Sequence, residues 1–292
     1  MVNIKKSPGY RVFQVFNALI LLLVVLITLY PFVYVLSVSL SSNDAVMHGE
    51  VILFPHQVTF AAYRQMMNQS AFWLDYRNTI LYTVLGTAFD LVLTTMCAYP
   101  LSKRIPGRGI ILKLLVFTMF FSGGLIPTFI LVKTLHMTNT IWSVIIPSSV
   151  YVYNVIIMRT FFEGIPGSLE EAAEIDGLDQ IHVLLQIVLP LSKPILATML
   201  LFMAVQYWND WFQALIYLND NSLYPVTLFL RNILMGATLS SQSLTTGNDS
   251  SFTLPQTLQS ASVMLITIPI LCVYPFVQKY FVKGVMIGAI KE

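Results

Sequence analysis

Glu163-Gly-Ile-Pro-Gly-Ser-Leu-Glu-Glu-Ala-Ala-Glu-Ile-Asp-Gly177, running on to Ile187-Val-Leu-Pro190, is an acidic island in an apolar chain. Six of the 14 carboxylates lie between Glu163 and Asp179. Pro166 and Gly167 stop whatever precedes. Ser168, with Glu171 three residues on, reads as a capping box, so a helix is expected from Leu169. Glu170, Glu171 and Glu174 suit the positive end of its dipole. Gly177 can take the left-handed conformation that ends a helix. A second, more apolar helix is expected over Gln180–Leu189, stopped by Pro190. The pattern is a short helix–turn–helix. Read from helix physics alone, it is either a solvated loop between spans or a rigid element offered to a soluble partner.

The rest of the chain decides what this island interrupts. Of 292 residues, 56% are hydrophobic and 10% charged, against roughly 45–50% and about 25% in a soluble domain. Mean hydropathy is +0.74. Too little charge remains to cover a soluble surface, and a net charge of +2 is too small to suggest a nucleic-acid partner. The composition describes an integral membrane protein. A helix needs about 20 apolar residues to cross the hydrocarbon. Candidates are Val12–Leu40, Thr79–Leu101, Ile110–Val132, Ile141–Phe161, Leu191–Leu218 and Leu258–Val282. The first is too long for a signal-peptide core and lacks a small-x-small site, so an uncleaved helix is expected. Pro31, Pro127, Pro147, Pro269 and Pro275 fall inside the spans and are expected as kinks. The expected fold is an all-α membrane protein with six transmembrane helices and a single domain over 1–292.

Lys and Arg set the orientation. With the N-terminus inside, Lys5, Lys6, Arg11, Lys103, Arg104, Arg108, Lys113, Arg159, Lys193, Lys279, Lys283 and Lys291 are internal, and Arg64, Arg77, Lys133 and Arg231 external. Both termini are then cytoplasmic: 1–11 and 283–292 flank a membrane core over 12–282, and loop 162–190 faces the cytosol. Outer stretches are expected at Ser41–Asn78 and Asn219–Thr257, with Ser240–Ser251 as a flexible loop. Cys97 and Cys272 read as small apolar fillers. His48, His56, His136 and His182 are scattered and offer no metal set. No internal repeat is evident, which argues against a secondary carrier.

Glu171-Ala172-Ala173, three residues, Gly177, nine residues, Ile187-x-Leu189-Pro190 resembles the EAA motif of bacterial ABC importer permeases, position for position. Asn78-Thr79, Met158-Arg159-x-Phe161-Phe162, Trp208-Asn209-Asp210, Gln278–Gly284 and Gly288–Lys291 look like the carbohydrate-uptake branch, similar in layout to the maltose permease MalG. Ser122-Gly-Gly-Leu-Ile-Pro127 looks closer to a subgroup handling aldouronate, pectin or alginate fragments.

The resemblance implies an inner-membrane permease subunit of a binding-protein-dependent oligosaccharide importer, with the type I permease fold. Its partners would be a second, related permease, two nucleotide-binding ATPase subunits, an extracytoplasmic solute-binding protein and the bilayer. The chain has no GxxxxGK[ST] pattern, so no cofactor is expected on it; ATP and Mg would sit on the ATPase subunits, and the chain itself would not be an enzyme. Coupling to the ATPase would fall to Glu170, Glu171, Ala172, Ala173, Asp176, Gly177, Ile187, Leu189 and Pro190, with Glu171 meeting a basic group and the two alanines permitting close approach. The tail Gly284–Glu292 would also touch the ATPase.

Pathway candidates come from the residues themselves. Asp90 is an ionisable group midway along a span, so it faces a cavity or a partner helix. Trp208, Asn209, Asp210 and Trp211 combine hydroxyl-binding groups with indoles that stack on sugars, or form an interfacial aromatic belt. Tyr151, Tyr153 and Asn154 are further candidates. The rival reading is an ion-coupled carrier using Asp90 and Asp210 as proton sites.

Overall fold

A computed structural model of the chain describes residues 8–243 and 256–289. Lys5, Lys6, Lys291, the end of the tail and most of the expected loop Ser240–Ser251 lie outside the described residues, as do the side chains of Arg11, Lys279 and Lys283. Every regular element among the described residues is helical. In order they are α1 (Pro8–Ser39), α2 (Asn43–Met47), α3 (Ala61–Met67), α4 (Ser70–Ser102), α5 (Arg108–Phe120), α6 (Leu125–Thr134), α7 (Ile141–Ile145), α8 (Val152–Glu163), α9 (Gly167–Ile175), α10 (Gln180–Val183), α11 (Leu189–Leu191), α12 (Lys193–Asn209), α13 (Phe212–Tyr217), α14 (Val226–Ser243) and α15 (Gln256–Ala289).

Among the described residues, three helices are long and apolar enough to cross a bilayer: Val12–Ser39, Ser70–Ser102 and Gln256–Val273. Three further spans exist only if bent pairs are counted as one. The expected third span, Ile110–Val132, is not one helix: α5 and α6 meet at 110°. The break falls on Ser122-Gly123-Gly124, where Gly124 takes φ +88, a value that a side chain resists and glycine does not. The fourth bends by 56° between the turn Ile146–Ser148 and α8. In the fifth, α12 ends at Asn209 and α13 restarts at Phe212. Pro190 does not stop the second loop helix either. A π turn over Leu184–Val188 carries the chain into α11, and the 83° bend comes at Ser192. The expected outer stretches also hold structure: α2 and α3 lie in the first, and α14 occupies much of the second.

The chain forms two compact units. The first comprises 1–69 and 233–267. There α1 has no buried residue along its apolar stretch, and structure gathers at its end. The Ser37 hydroxyl donates to the Leu53 carbonyl at 2.6 Å, Ser41 accepts from the His56 N–H at 3.0 Å, and Val38, Ala45 and Val51 form a small core. Met66 is fully buried and receives the Ser262 hydroxyl at 3.4 Å.

The second unit comprises 70–232 and 268–292 and is organised on α4, which packs against α12 and α8. This helix is inverted relative to a soluble one. Thr79, Thr87, Asp90 and Thr94 are buried, while Ile80, Val84, Leu85, Val92 and Met96 are exposed. Lipid rewards that arrangement, because apolar side chains meet acyl chains and polar ones find partners inside the protein. Cys97 and Cys272 are both exposed rather than interior fillers. On α4 the inward positions near Cys97 belong to Thr94, Thr95, Ala98 and Tyr99. The Asn78-Thr79 pair clasps the loop before α14: Asn78 Nδ2 donates to the Ser222 and Tyr224 carbonyls at 2.7 and 3.1 Å, and Thr79 Oγ1 accepts from Val226 N–H at 2.8 Å.

Candidate functional site

The acidic island forms a rigid corner at one end of the second unit. α9 starts at Gly167, two residues before the expected start, with Pro166 as cap residue. The capping box of Ser168 and Glu171 is not formed; the Pro166 carbonyl instead accepts the Leu169 N–H at 3.1 Å. The far end closes as expected of glycine. Gly177 has φ +87, its N–H reaches the Glu174 carbonyl, and the Leu178 N–H reaches Ala173. This is a Schellman motif, and it satisfies the orphan carbonyls of the last turn. Asp179 then caps α10, accepting from the His182 backbone N–H at 2.8 Å, and that bond first of all holds its carboxyl below the usual carboxylate range.

The faces of α9 differ from the expected roles. Glu170 and Ala173 turn inward: Glu170 pairs with Lys103, and Ala173 packs with Ala98, Tyr99, Phe162 and Val183. Their close contacts are made with their own chain. Glu171, Ala172, Glu174, Asp176 and Gly177 are exposed, Ile187 and Leu189 are half-buried, and Pro190 is exposed. The outward feature missing from the sequence reading is Ile175, 87% exposed between two carboxylates. Its signal was an isolated aliphatic residue in the acidic run. Glu163 lies beneath the same corner, pairing with Arg108 and, at 2.6 Å, with Arg159, whose Nε–H donates to the Leu101 carbonyl at 3.0 Å.

A second constellation forms where α4, α8 and α12 meet. Asp90 is fully buried; one carboxylate oxygen accepts from the Thr94 hydroxyl at 3.0 Å, and the other has no partner among the described residues. Tyr151 and Tyr207 lie within electrostatic reach of both Asp90 and Asp210. Tyr207 donates to the Ile145 carbonyl at 3.4 Å. Tyr207, not singled out from sequence, therefore completes the cluster. The Tyr207 ring is admitted by Gly86: a Cβ there would sit 2.7 Å from it.

Other candidates are drawn off. The Asp210 carboxylate accepts from the N–H groups of Phe212 and Gln213 at 3.0 and 3.1 Å, starting α13. Asn209 folds back onto the Val205 carbonyl at 2.8 Å, Trp208 packs edge-on to Tyr76, and Trp211 lies under the Arg231 guanidinium at 4.9 Å. Tyr153 is exposed and Asn154 buried, on different faces of α8. The described residues hold no His/Cys/Asp/Glu group suited to a metal.

Residues 70–287 match the family described as the binding-protein-dependent transport system inner membrane component. Protein LplC of Bacillus subtilis is 41% identical, over 96% of this chain and 95% of its own length. The polygalacturonan/rhamnogalacturonan transport system permease protein YtcP of Bacillus subtilis is 38% identical, over 96% and 99%. A chain in the crystal structure of a bacterial ABC transporter involved in the import of the acidic polysaccharide alginate superimposes with a TM-score of 0.84 at 36% identity, covering 94% of this chain and 98% of that one. An inverted, polar-inside helix bundle carrying a capped acidic corner thus has close counterparts throughout its length, and the chain belongs to the family of inner membrane components of binding-protein-dependent transport systems.

Proposed function

We propose that this chain is the permease subunit of an ATP-driven importer of oligosaccharides, with uronate-containing fragments such as those of alginate or pectin as its substrate class. The observation that carries the reading is the corner at α9. It is capped at its glycine, anchored by Glu170 and Ala173, and presents Glu171, Ala172 and Ile175 outward. A docking helix needs that combination of a fixed base and a free face.

In this reading the bent pairs each count as one span, giving six, with both termini and α9 in the cytosol and the whole chain as one transmembrane domain. A second permease completes the pathway, two nucleotide-binding subunits hold ATP and Mg, and a solute-binding protein delivers the sugar outside. Closure of the ATPase dimer moves α9 as a lever and switches the access of the pathway. The substrate class is supported by the polygalacturonan/rhamnogalacturonan permease and the alginate transporter among the relatives. The cluster of Asp90, Tyr151 and Tyr207 is the proposed pathway lining. Asp210 serves the backbone of α13, which leaves Asp90 as the freer carboxylate. Of the outer basic residues, Arg231 is already engaged with Trp211. The uronate carboxylate is therefore matched mainly on the binding protein or the sister permease.

The test is ATP hydrolysis by the assembled complex with its binding protein, across a panel of neutral and uronate oligosaccharides. Stimulation confined to uronate fragments is expected. Stimulation by neutral maltodextrins alone would remove the substrate class, and hydrolysis indifferent to the binding protein would remove the importer.

A further inference from the structure

We infer that Lys103 and Glu170 form a tether that ties the α9 corner to α4, making both of them positioning residues for transport. This rests on the coupling role proposed for α9 and names how its motion reaches the membrane. Glu170 and Glu174 are one helical turn apart and share a face, while Glu171 points elsewhere. Both members of that face are engaged. Glu170 pairs with the Lys103 ammonium, and Glu174 accepts from the Gln180 amide. Gln180 in turn accepts from the Tyr99 hydroxyl at 3.3 Å, and the Lys103 ammonium lies 4.7 Å from the Tyr99 ring centroid. The result is a closed polar ring of Tyr99 from α4, Lys103 directly after it, two residues from α9 and one from α10.

The ring lines an open-sided cavity of about 580 Å³ between the end of α4 and the α9–α10 turn, together with Met96, Pro100, Ile105, Ile181 and Leu184. The polar contacts add a charged link to the apolar packing of Ala173 with Ala98 and Tyr99. The anchored end also has reach. Lys103 follows directly after α4, the helix that holds Asp90 and Gly86. Lys103 lies thirteen positions beyond Asp90, about 20 Å at 1.5 Å per residue. A pull on Glu170 therefore acts on the element whose middle meets Tyr207. Glu171 serves the outside contact, and Glu170 passes the displacement inward.

The test uses the complete importer, with both permeases, the ATPase subunits and the binding protein, in proteoliposomes. Lys103→Met and Glu170→Gln are each expected to lower ATP-dependent uptake about tenfold, the scale of a 1–3 kcal/mol coupling, while the ATPase subunits still co-purify. Lys103→Arg keeps the charge and is expected to keep uptake, and the exchange Lys103→Glu/Glu170→Lys is expected to recover it. A fold defect would not respond to the exchange. Parental uptake in both single variants overturns the tether, and so does an exchange that remains as impaired as the singles. The docking reading is judged separately on Glu171→Lys, which touches no member of the ring; loss of ATPase co-purification belongs to that variant alone.

Discussion

Gly86→Ala lowers the thermal stability of the detergent-solubilised protein, and Gly86→Leu prevents its accumulation in the membrane. The added Cβ would meet three atoms of the Tyr207 ring at 2.7–2.8 Å, closer than real Cβ contacts come. Tyr207 is 3% exposed and its hydroxyl donates to the Ile145 carbonyl at 3.4 Å, so the buried ring has little room to swing. Overpacking of this kind costs about 1–3 kcal/mol, and each kcal/mol lowers Tm by about 2–4 °C in a unit of this size. Small residues are what allow membrane helices to approach this closely, and Gly86 sets the spacing of α4 and α12. Tyr207→Leu removes the ring, so the double variant is expected to lose less than the two single losses combined. Gly86→Ala with parental Tm would show that the two helices are not held at this distance.

Gly177→Leu abolishes uptake while the chain still inserts in the membrane. Nothing lies within 4 Å of a Cβ at this position, so crowding is not the cause. The cost is in the backbone: φ is +87, and a left-handed non-glycine residue loses about 1–2 kcal/mol. Escaping that strain breaks the bonds from Gly177 and Leu178 back to Glu174 and Ala173 and re-aims α10 relative to α9. Asparagine tolerates the left-handed region better than leucine, so uptake is expected to follow the order Gly177, then Gly177→Asn, then Gly177→Leu. Equal uptake in the asparagine and leucine variants would contradict the backbone explanation.

The outline of the molecule was legible because lipid imposes a coarse rule. Long apolar runs at α1, α4 and α15 are helices whatever their detail, and prolines 31, 269 and 275 did not break them. The breaks in the other spans escaped because hydropathy averages over some twenty residues, whereas a bend needs one or two. Gly123-Gly124 turns α5 into α6 by conformational freedom, and Asp210 restarts a helix by accepting two N–H groups. The corner at α9 was legible where the cause is local, as at Gly177. It was not where two neighbours compete for one role. Glu170 and Glu171 are chemically identical and about 100° apart around the helix. The position of Lys103, 67 residues earlier, and the apolar packing of Ala173 on the same face decide which of them turns inward. The same holds for the capping box: its residues are present, but the Pro166 carbonyl reaches the Leu169 N–H and the helix starts earlier.

Cross-linking from Ile175→Cys tests the central claim most directly. Ile175 is 87% exposed, so the substitution leaves the core of the corner untouched, and Cys97 and Cys272 can be replaced beforehand because both are exposed and free. In the assembled importer, a short thiol-to-amine cross-linker is predicted to join this cysteine to a nucleotide-binding subunit, with assembly slowing its reaction with a small maleimide. A cysteine that forms no such cross-link, and reacts as fast in the complex as in the isolated permease, would show that the outward face of α9 is not where the chain meets its motor.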